Sequence, residues 1–199
     1  MSPYIETIRL QNGELKNLSY HQARFERTRL LELGLRTHPD LNQMIKIHKG
    51  LDRGLLKCRV MYGKEIERIE FELYSRRVVK SLKVVEADHI SYSFKYSDRI
   101  ALDALFAQRG NCDDILMVKN GCVTDSHFAN TAFWDGATWF TPDTPLLPGT
   151  MRASLLEKGV LKMARITPGN LNNYHNIRLI NAMNTLQEGA EIALNSVVY

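Results

Sequence analysis

The sequence contains no run of about 18 apolar residues, the length that a helix needs to cross a bilayer. Its N-terminal residues also lack the basic-then-apolar pattern of a secretory signal. The two absences predict a soluble, cytoplasmic protein with no membrane partner. Cysteine is scarce as well: Cys58, Cys112 and Cys122 are odd in number and show no CxxC spacing. The sequence therefore predicts buried free thiols and neither a disulfide framework nor a zinc site.

Nucleic-acid-binding patterns and internal repeats are also absent. The 26 basic residues exceed the 22 acidic ones, but they are scattered, and no RRM, zinc-finger or helix-turn-helix pattern occurs. We therefore expect no nucleic-acid partner, and the net charge of +4 suits an anionic small molecule. The six histidines show no metal-ligand spacing, so no metal site is predicted.

What the sequence does contain is a set of clear turn signals. Asn-Gly at 12–13 and 120–121 and Asp-Gly at 135–136 each lie between apolar or alternating residues. These dipeptides predict three β-hairpins, because both central residues of a type I′ turn need positive φ.

Helices and the remaining strands follow from periodicity and capping residues. Ser19 and Gln22 predict a capping box at the start of a helix that Gly34 ends. Further strands are predicted at 55–62, 66–74, 82–86, 115–118, 122–126, 131–134, 138–140 and 177–182, of which the last leads toward the segment 192–198. Further helices are predicted at 97–109 and 150–158, which Gly110 and Gly159 end. The strands between 115 and 140 would form an antiparallel meander. We expect three parts, a small α+β domain (1–86), an interdomain linker (87–92) and a second domain (93–199).

Three segments could carry chemistry. Pro-Gly at 148–149 leads into a helix, whose first-turn N–H groups and dipole favour a phosphate, although a plain helix start is the alternative. Lys95 lies between aromatic residues, where desolvation lowers the pKa of an amine and lets it attack a carbonyl; a lysine reaching to solvent from a strand edge is the alternative. Asp125 follows the second Asn-Gly turn. Facing inward, its carboxylate would need a cation or a protonated ring nitrogen, whereas a strand-end cap is the default.

The order and spacing of the motifs resemble those of the fold-type IV pyridoxal-phosphate enzymes, which include branched-chain and D-amino-acid aminotransferases and aminodeoxychorismate lyase. The matching segments run nearly end to end: ETIR at 6–9, Gly13, HQAR at 21–24, Lys95, VTD at 123–125, Asn130, Phe133, TP at 141–142, LPGTMR at 147–152 and INAM at 180–183. The resemblance implies an α+β, D-amino-acid-aminotransferase-like two-domain fold, with a small N-terminal α/β sandwich and a C-terminal antiparallel pseudo-barrel with helices. It also implies pyridoxal 5′-phosphate as the cofactor and a homodimer.

The resemblance gives each matched residue a role. Lys95 would be the catalytic residue, holding the cofactor as a Schiff base and moving protons. Asp125 would pair with the pyridine nitrogen at a position where the family usually has Glu. The other cofactor-binding residues would be Arg24, Asn130, Thr150, Met151, Asn181 and Ala182, with the phosphate bound by Arg24, by the Thr150 and Met151 N–H groups and by the Asn181-Ala182 segment.

The segments at 124–130 and 149–152 look closest to aminodeoxychorismate lyase, which converts 4-amino-4-deoxychorismate to 4-aminobenzoate and pyruvate. Its substrate is a small anion with an amino group. Lys57 and Arg59 share one face of a predicted strand and are candidates for binding its carboxylates, with surface-facing basic residues as the alternative. Two other functions stay open: an amino-acid aminotransferase of the branched-chain or D-amino-acid type, and a catalytically degenerate relative that only binds a ligand.

Overall fold

The computed structural model describes residues 3–51, 53–189 and 191–199. Its chain forms two compact units. The N-terminal unit comprises the described residues up to Arg76 together with Phe94–Asp98, and the C-terminal unit comprises Arg77–Ser93 and Arg99–Tyr199. The predicted domains instead divide the chain at residues 86 and 93. Because compact units need not fold independently, the predicted domain boundaries stay a prediction.

The N-terminal unit is an antiparallel sheet covered by helices. Its strands are β1 (Tyr4–Gln11), β2 (Glu14–Leu15), β3 (Leu55–Tyr62) and β4 (Ile66–Leu73), in the order β2-β1-β3-β4, and its helices are α1 (Leu18–Leu33) and α2 (Leu41–Met44). Alternation along β1 and β3 places their even-numbered residues on one face. That face packs against Phe25 of α1 and forms the core of the unit.

Helix α1 ends as predicted but begins differently. Gly34 takes the left-handed conformation, with φ 68°, and caps the C-terminus. The predicted capping box is wrong: Ser19 lies inside the helix, and the N-cap is Asn17, with φ 53° and no side-chain cap. The β1–β2 hairpin reverses the chain immediately before this point, and Asn is one of the few non-glycine residues that adopts positive φ at low cost.

The C-terminal unit is built on a sheet with nine strands among the described residues. The strands are β5 (Leu82–Glu86), β6 (Asp114–Lys119), β7 (Cys122–Ser126), β8 (Asn130–Trp134), β9 (Trp139–Pro142), β10 (Leu161–Ala164), β11 (Asn176–Ile180), β12 (Glu191–Ala193) and β13 (Val197–Val198). Helix α3 (Ile100–Phe106) continues into a 3₁₀ turn, Ala107–Arg109, and helix α4 (Thr150–Glu157) follows β9. A further two 3₁₀ turns are Pro168–Asn173 and Leu194–Ser196.

The sheet is mixed and branched. Strands β6 to β9 form the predicted antiparallel meander, whereas β5 is parallel to β6 and to β13, and β9 is parallel to β10. Strand β11 pairs with all five residues of β8, while β7 pairs with the first residue of β8 and β9 with its last two. The first residue of β8 is therefore held by two neighbouring strands, and this residue is Asn130.

The hairpin predictions are confirmed with one change of geometry. Asn12 and Asn120 have φ near 50° and precede glycines of positive φ, as a type I′ turn requires. At the third hairpin only Gly136 has positive φ. There the Asp135 carboxylate accepts bonds from the N–H groups of Ala137 and Thr138 and forms a longer loop. The three cysteines are free thiols, of which Cys58 and Cys122 are buried and Cys112 is partly exposed.

None of the helices in the described part of the chain has the length and apolar character needed to cross a membrane.

Candidate functional site

In the N-terminal unit, Glu6 is the centre of a buried charged cluster. It lies on the face of β1 that packs under α1, and the side chains of His21 and Arg24, one helical turn apart, reach it from above. Arg24 Nε donates to Oε1 at 2.8 Å and Arg24 Nη2 to Oε2 at 2.6 Å, while His21 Nδ1 lies 2.6 Å from Oε2. Glu6 and His21 are fully buried, and 9% of the Arg24 side chain is exposed. The carboxylate thereby fixes the orientation of the Arg24 guanidinium.

The electrostatics of this cluster favour an ionised glutamate and a neutral histidine. Burial raises the pKa of Glu6, but the charge and hydrogen bonds of Arg24 and the bond from His21 outweigh it, so the pKa falls to about 2. Burial lowers the pKa of His21, and the charges of Arg24 and Lys95 lower it further against the opposing effect of Glu6. Lys95 is therefore close enough to this cluster to act on it electrostatically.

Lys95 is the middle residue of a very tight turn. The Tyr96 N–H donates to the Phe94 carbonyl at 3.0 Å, which closes a three-residue γ-turn around Lys95. The Lys95 carbonyl accepts a bond from the Ile5 N–H at 3.0 Å, and Tyr96 forms an antiparallel bridge with Tyr4. The turn is thus fixed to the start of β1, and Lys95 itself is half-buried.

In the C-terminal unit, Asp125 is a buried carboxylate on β7, 5% exposed. Its Oδ1 accepts from Asn130 Nδ2 at 2.8 Å and its Oδ2 accepts from the Leu147 N–H at 2.9 Å. Asn130 Nδ2 also donates to the Leu147 carbonyl at 2.9 Å. Asp125 and Asn130 therefore bind both polar backbone groups of Leu147, just before α4.

Asp125 is a weaker acid than an ordinary aspartate. Burial raises its pKa to about 6, although the bonds from Leu147 and Asn130 and the charge of Arg152 lower it. Arg152 is itself buried and donates to Pro142 O at 2.8 Å and to Thr141 Oγ1 at 3.3 Å. The TP and LPGTMR motifs thus meet through this arginine.

The start of α4 is packed tightly against Asn130. A Cβ added to Gly149, the N-cap of the helix, would lie 2.0 Å from the Asn130 Oδ1. Glycine is required here by this close approach, since its φ of −74° is open to any residue. Thr150 and Met151 form the buried first turn behind it, at the positive end of the helix dipole.

Asn181 connects the end of β11 to the turn between β7 and β8. Its Oδ1 accepts from the N–H groups of Met183 and Asn184, both at 2.9 Å, and so folds the chain around Ala182. Its Nδ2 donates to the Phe128 carbonyl at 3.3 Å. Gly149, which approaches Asn130, precedes Thr150 and Met151, and Met151 packs in one cluster with Ile180, which precedes Asn181. The C-terminal unit thus brings the predicted positions 125, 130, 150–151 and 181–182 near one another.

Lys57 and Arg59 lie apart from the Glu6 cluster. Their odd-numbered positions on β3 place them on the opposite face of the sheet from Glu6, which pairs with Val60. Both are paired with the carboxylate of Glu72 on β4, at 2.7 Å from Lys57 and 3.5 Å from Arg59. Their shared face is as predicted, and their use for a substrate carboxylate stays a prediction.

The roles predicted from the sequence do not include Glu6, His21 or Arg152. In the structure Glu6 binds Arg24, His21 lies one turn before Arg24 on α1, and Arg152 follows Met151 on α4. A signal for them was present, because all three belong to the matched motifs ETIR, HQAR and LPGTMR. The motifs do not show which of these residues bond to one another.

Three comparisons identify what the chain is similar to. A model of the family described as amino-transferase class IV matches residues 71–192. An uncharacterized protein of Haemophilus influenzae is 40% identical over 94% of this chain and its own full length. The solved structure of a candidate 4-amino-4-deoxychorismate lyase from Haemophilus somnus 129pt has 40% identity and a TM-score of 0.89, covering 94% of this chain and 98% of its own.

A more distant structure shows the same fold. The pyridoxal-phosphate-bound form of a hypothetical aminotransferase from Mycobacterium tuberculosis is 18% identical, has a TM-score of 0.77 and covers 98% of this chain and 81% of its own. At this identity the likeness concerns the fold alone. The α+β fold class predicted from the sequence is confirmed.

Proposed function

The chain belongs to the amino-transferase class IV family, and from this premise we propose that it is a pyridoxal-5′-phosphate enzyme that cleaves 4-amino-4-deoxychorismate to 4-aminobenzoate and pyruvate. The observation that carries the proposal is the 40% identity, over nearly the full length of both chains, to the Haemophilus somnus protein named as a candidate for this lyase.

The donor groups of the N-terminal unit suit the cofactor. Arg24 offers a permanently charged fork for a phosphate, and Glu6 holds two of its nitrogens so that its orientation is set before any ligand binds. Lys95 is the amine that would bond covalently to the cofactor carbonyl. The buried, neutral His21 lets the cluster tolerate a lysine nearby, since it adds no second positive charge beside Arg24.

The donor groups of the C-terminal unit suit the cofactor equally. The oxygens of Asp125 accept bonds from Asn130 and from the N–H groups of Leu146 and Leu147. A carboxylate accepts about four, so capacity remains for a protonated ring nitrogen. Such a cation would lower the pKa of Asp125 from about 6 and keep it ionised at neutral pH. The first turn of α4, with Thr150 and Met151, and the loop around Ala182 supply N–H groups of the kind that bind phosphate.

Bound pyridoxal phosphate would supply an electron sink for the carbanion formed at the substrate carbon that bears the amino group. Lys95 would take the proton from that carbon as general base, and the bond between the substrate ring and the enolpyruvyl oxygen would break as the substrate ring becomes aromatic. The departing enolate would take the proton back from Lys95 and become pyruvate. Asp125 would keep the ring nitrogen protonated. Asn130 would keep Asp125 oriented.

Lys57 and Arg59 remain our candidates for the substrate carboxylates. Because Glu72 already pairs with both, a carboxylate would have to join or displace it. Replacing Glu72 by Gln tests this directly: KM for the anionic substrate should fall if the two cations bind it, and an unchanged KM would remove them from the site.

The first test is covalent trapping. Purified protein is mixed with pyridoxal phosphate, its visible spectrum is recorded, and borohydride reduction is followed by peptide mapping. We expect the wild type to carry the reduced cofactor on Lys95 and Lys95→Ala to carry none. Lys162→Ala, which removes a lysine from an exposed position on β10, is the matched control and should behave as the wild type. Equal labelling of the wild type and Lys95→Ala would overturn the assignment.

The second test separates the activities. A lyase forms 4-aminobenzoate and pyruvate in equal amounts from one substrate, whereas an aminotransferase needs an amino acid and a 2-oxo acid in turn and shows ping-pong kinetics. A cofactor-binding protein with neither activity would favour the degenerate relative, for which the specific observation is Asp125 in the position of the usual Glu.

A further inference from the structure

We propose that Tyr96 and Glu32 are positioning residues for Lys95: Glu32 on α1 binds the Tyr96 hydroxyl and so holds the γ-turn that presents the lysine. The inference rests on the proposed function, because it concerns how the amine is aimed at a carbonyl. It assigns a part in the reaction to a surface carboxylate that belongs to none of the matched motifs.

The turn around Lys95 depends on support from outside its three residues. A γ-turn has a single hydrogen bond, here from the Tyr96 N–H to the Phe94 carbonyl, and fixes only three residues. Backbone bonds to the start of β1 supply part of the support. The Ile5 N–H donates to the Lys95 carbonyl at 3.0 Å, and the Ser97 N–H donates to the Pro3 carbonyl at 2.9 Å.

The side chains on both sides of Lys95 contact α1. The Tyr96 hydroxyl donates to Glu32 Oε2 at 3.2 Å, and the Tyr4 hydroxyl donates to the same oxygen at 3.0 Å. The rings of Tyr4 and Tyr96 lie 5.4 Å apart. On the other side, the Phe94 ring lies 5.0 Å from the guanidinium carbon of Arg27.

Helix α1 carries both Arg24 and the residue that supports Lys95. Arg24 and Glu32 are eight residues apart on one helix, and a helix rises about 1.5 Å per residue, so they lie about 12 Å apart on a rigid element. The proposed phosphate ligand and the support for Lys95 are therefore set by the same helix. A covalent step is sensitive to such alignment, since a displacement of about 1 Å can cost about 100-fold in rate.

The arrangement can be tested without disturbing the core. Glu32 is exposed, and Ala is the best helix former, so Glu32→Ala should leave the helix intact. Tyr96→Phe keeps the ring beside Tyr4 and removes only the hydroxyl. Glu26→Ala is the matched control, because it removes another carboxylate of α1, one that binds Gln22.

Two measurements are made on the full chain. Without cofactor, amide hydrogen exchange at Ile5 and Ser97 should be about threefold to tenfold faster in Tyr96→Phe, the range that the net strength of one hydrogen bond gives. It should be at least as much faster in Glu32→Ala, which also breaks the bond from the Tyr4 hydroxyl. With pyridoxal phosphate, the rate of borohydride-fixed attachment to Lys95 should fall by a similar factor of about threefold to tenfold. The double variant should behave as Glu32→Ala does alone, because Glu32→Ala already breaks the bond that Tyr96→Phe removes.

The outcomes distinguish the inference from the proposed function. A wild type that never attaches the cofactor at Lys95 overturns both. If the wild type attaches it and Glu32→Ala and Tyr96→Phe do so at the rate of Glu26→Ala, the inference is overturned and the proposed function stands. Faster amide exchange with an unchanged attachment rate also overturns it, since the bond would then stabilise the turn without positioning the lysine.

Discussion

Replacing Glu6 by Gln should destabilise the N-terminal unit strongly at neutral pH and much less in acid. The pKa of Glu6 falls from 4.5 to about 2 on folding. One pKa unit corresponds to about 1.4 kcal/mol, so the ionised carboxylate contributes about 3 kcal/mol of stability. A lowered pKa contributes stability that is complete above pH 4.5 and is lost as the pH falls toward 2, so about 1 kcal/mol would remain at pH 3.

The structural reason is that the neutral amide would leave Arg24 without its charge partner. Breaking a buried ion pair by removing one partner costs about 3 to 5 kcal/mol. The measurement is urea unfolding at pH 7 and pH 3, with a short pulse of deuterium after equilibration and mass spectrometry of the β3 peptide. This readout follows the N-terminal unit alone, whereas Trp134 and Trp139 would report on the C-terminal unit.

The matched control is Glu14→Gln in the same unit. Glu14 forms an ion pair with Lys16 with 72% of its side chain exposed, and such pairs contribute little. The reasoning is refuted if Glu6→Gln costs no more than this control at pH 7, or if its cost is the same at pH 3 and pH 7.

Three further predictions concern single residues. Gly149→Ala should lower the free energy of unfolding by about 2 to 4 kcal/mol, because the added Cβ would lie 2.0 Å from the Asn130 Oδ1. Gly169→Ala should be tolerated, because its Cβ would lie 3.9 Å from the nearest atom, Thr167 Oγ1, and chemical unfolding of both variants decides this. Because the pKa of Asp125 is raised on folding, its contribution to stability falls as the pH rises from about 4 through about 6. Asp125→Asn should therefore flatten that part of the Tm–pH curve of the cofactor-free protein, and an unchanged curve would contradict this prediction. Burial raises the pKa of Cys58 to about 12, so under native conditions a thiol reagent should label the partly exposed Cys112 well before Cys58, and equal labelling would count against this.

Local backbone chemistry accounts for the parts of the fold that the sequence predicted well. Asn-Gly at 12–13 and 120–121 and Gly34 mark positive φ, and few residues adopt it, so the residue type nearly decides the conformation. Ser19 and Gln22 failed for the complementary reason. A serine caps a helix only when the chain enters at its position, and the preceding hairpin makes that position Asn17.

The sequence predicted some features of the candidate site and not others. Motif order predicted that Lys95, Asp125 and Arg24 matter, and the residues around them were present in the matched segments. No spacing rule reveals that the HQAR arginine binds the ETIR glutamate, because the two are 18 positions apart and meet only when α1 packs on β1. The same holds for Asn130, whose amide can bind both Asp125 and Leu147 only once β8 lies beside β7.

The sequence by itself determined the two Asn-Gly turns, the alternation of the strands and the family, and it predicts the candidate catalytic groups, because these depend on residue types and on motif spacing. Only the tertiary structure decided which charges are paired and which acids are strong or weak. Glu6 and Asp125 are both buried carboxylates. For Glu6 burial is outweighed by the charge and hydrogen bonds of Arg24, so the pKa falls to about 2, whereas for Asp125 burial outweighs the bonds from Leu147 and Asn130 and the charge of Arg152, so the pKa rises to about 6. The pKa of a buried group depends on the burial, charges and hydrogen bonds around it, and the residues that provide them come from distant parts of the chain.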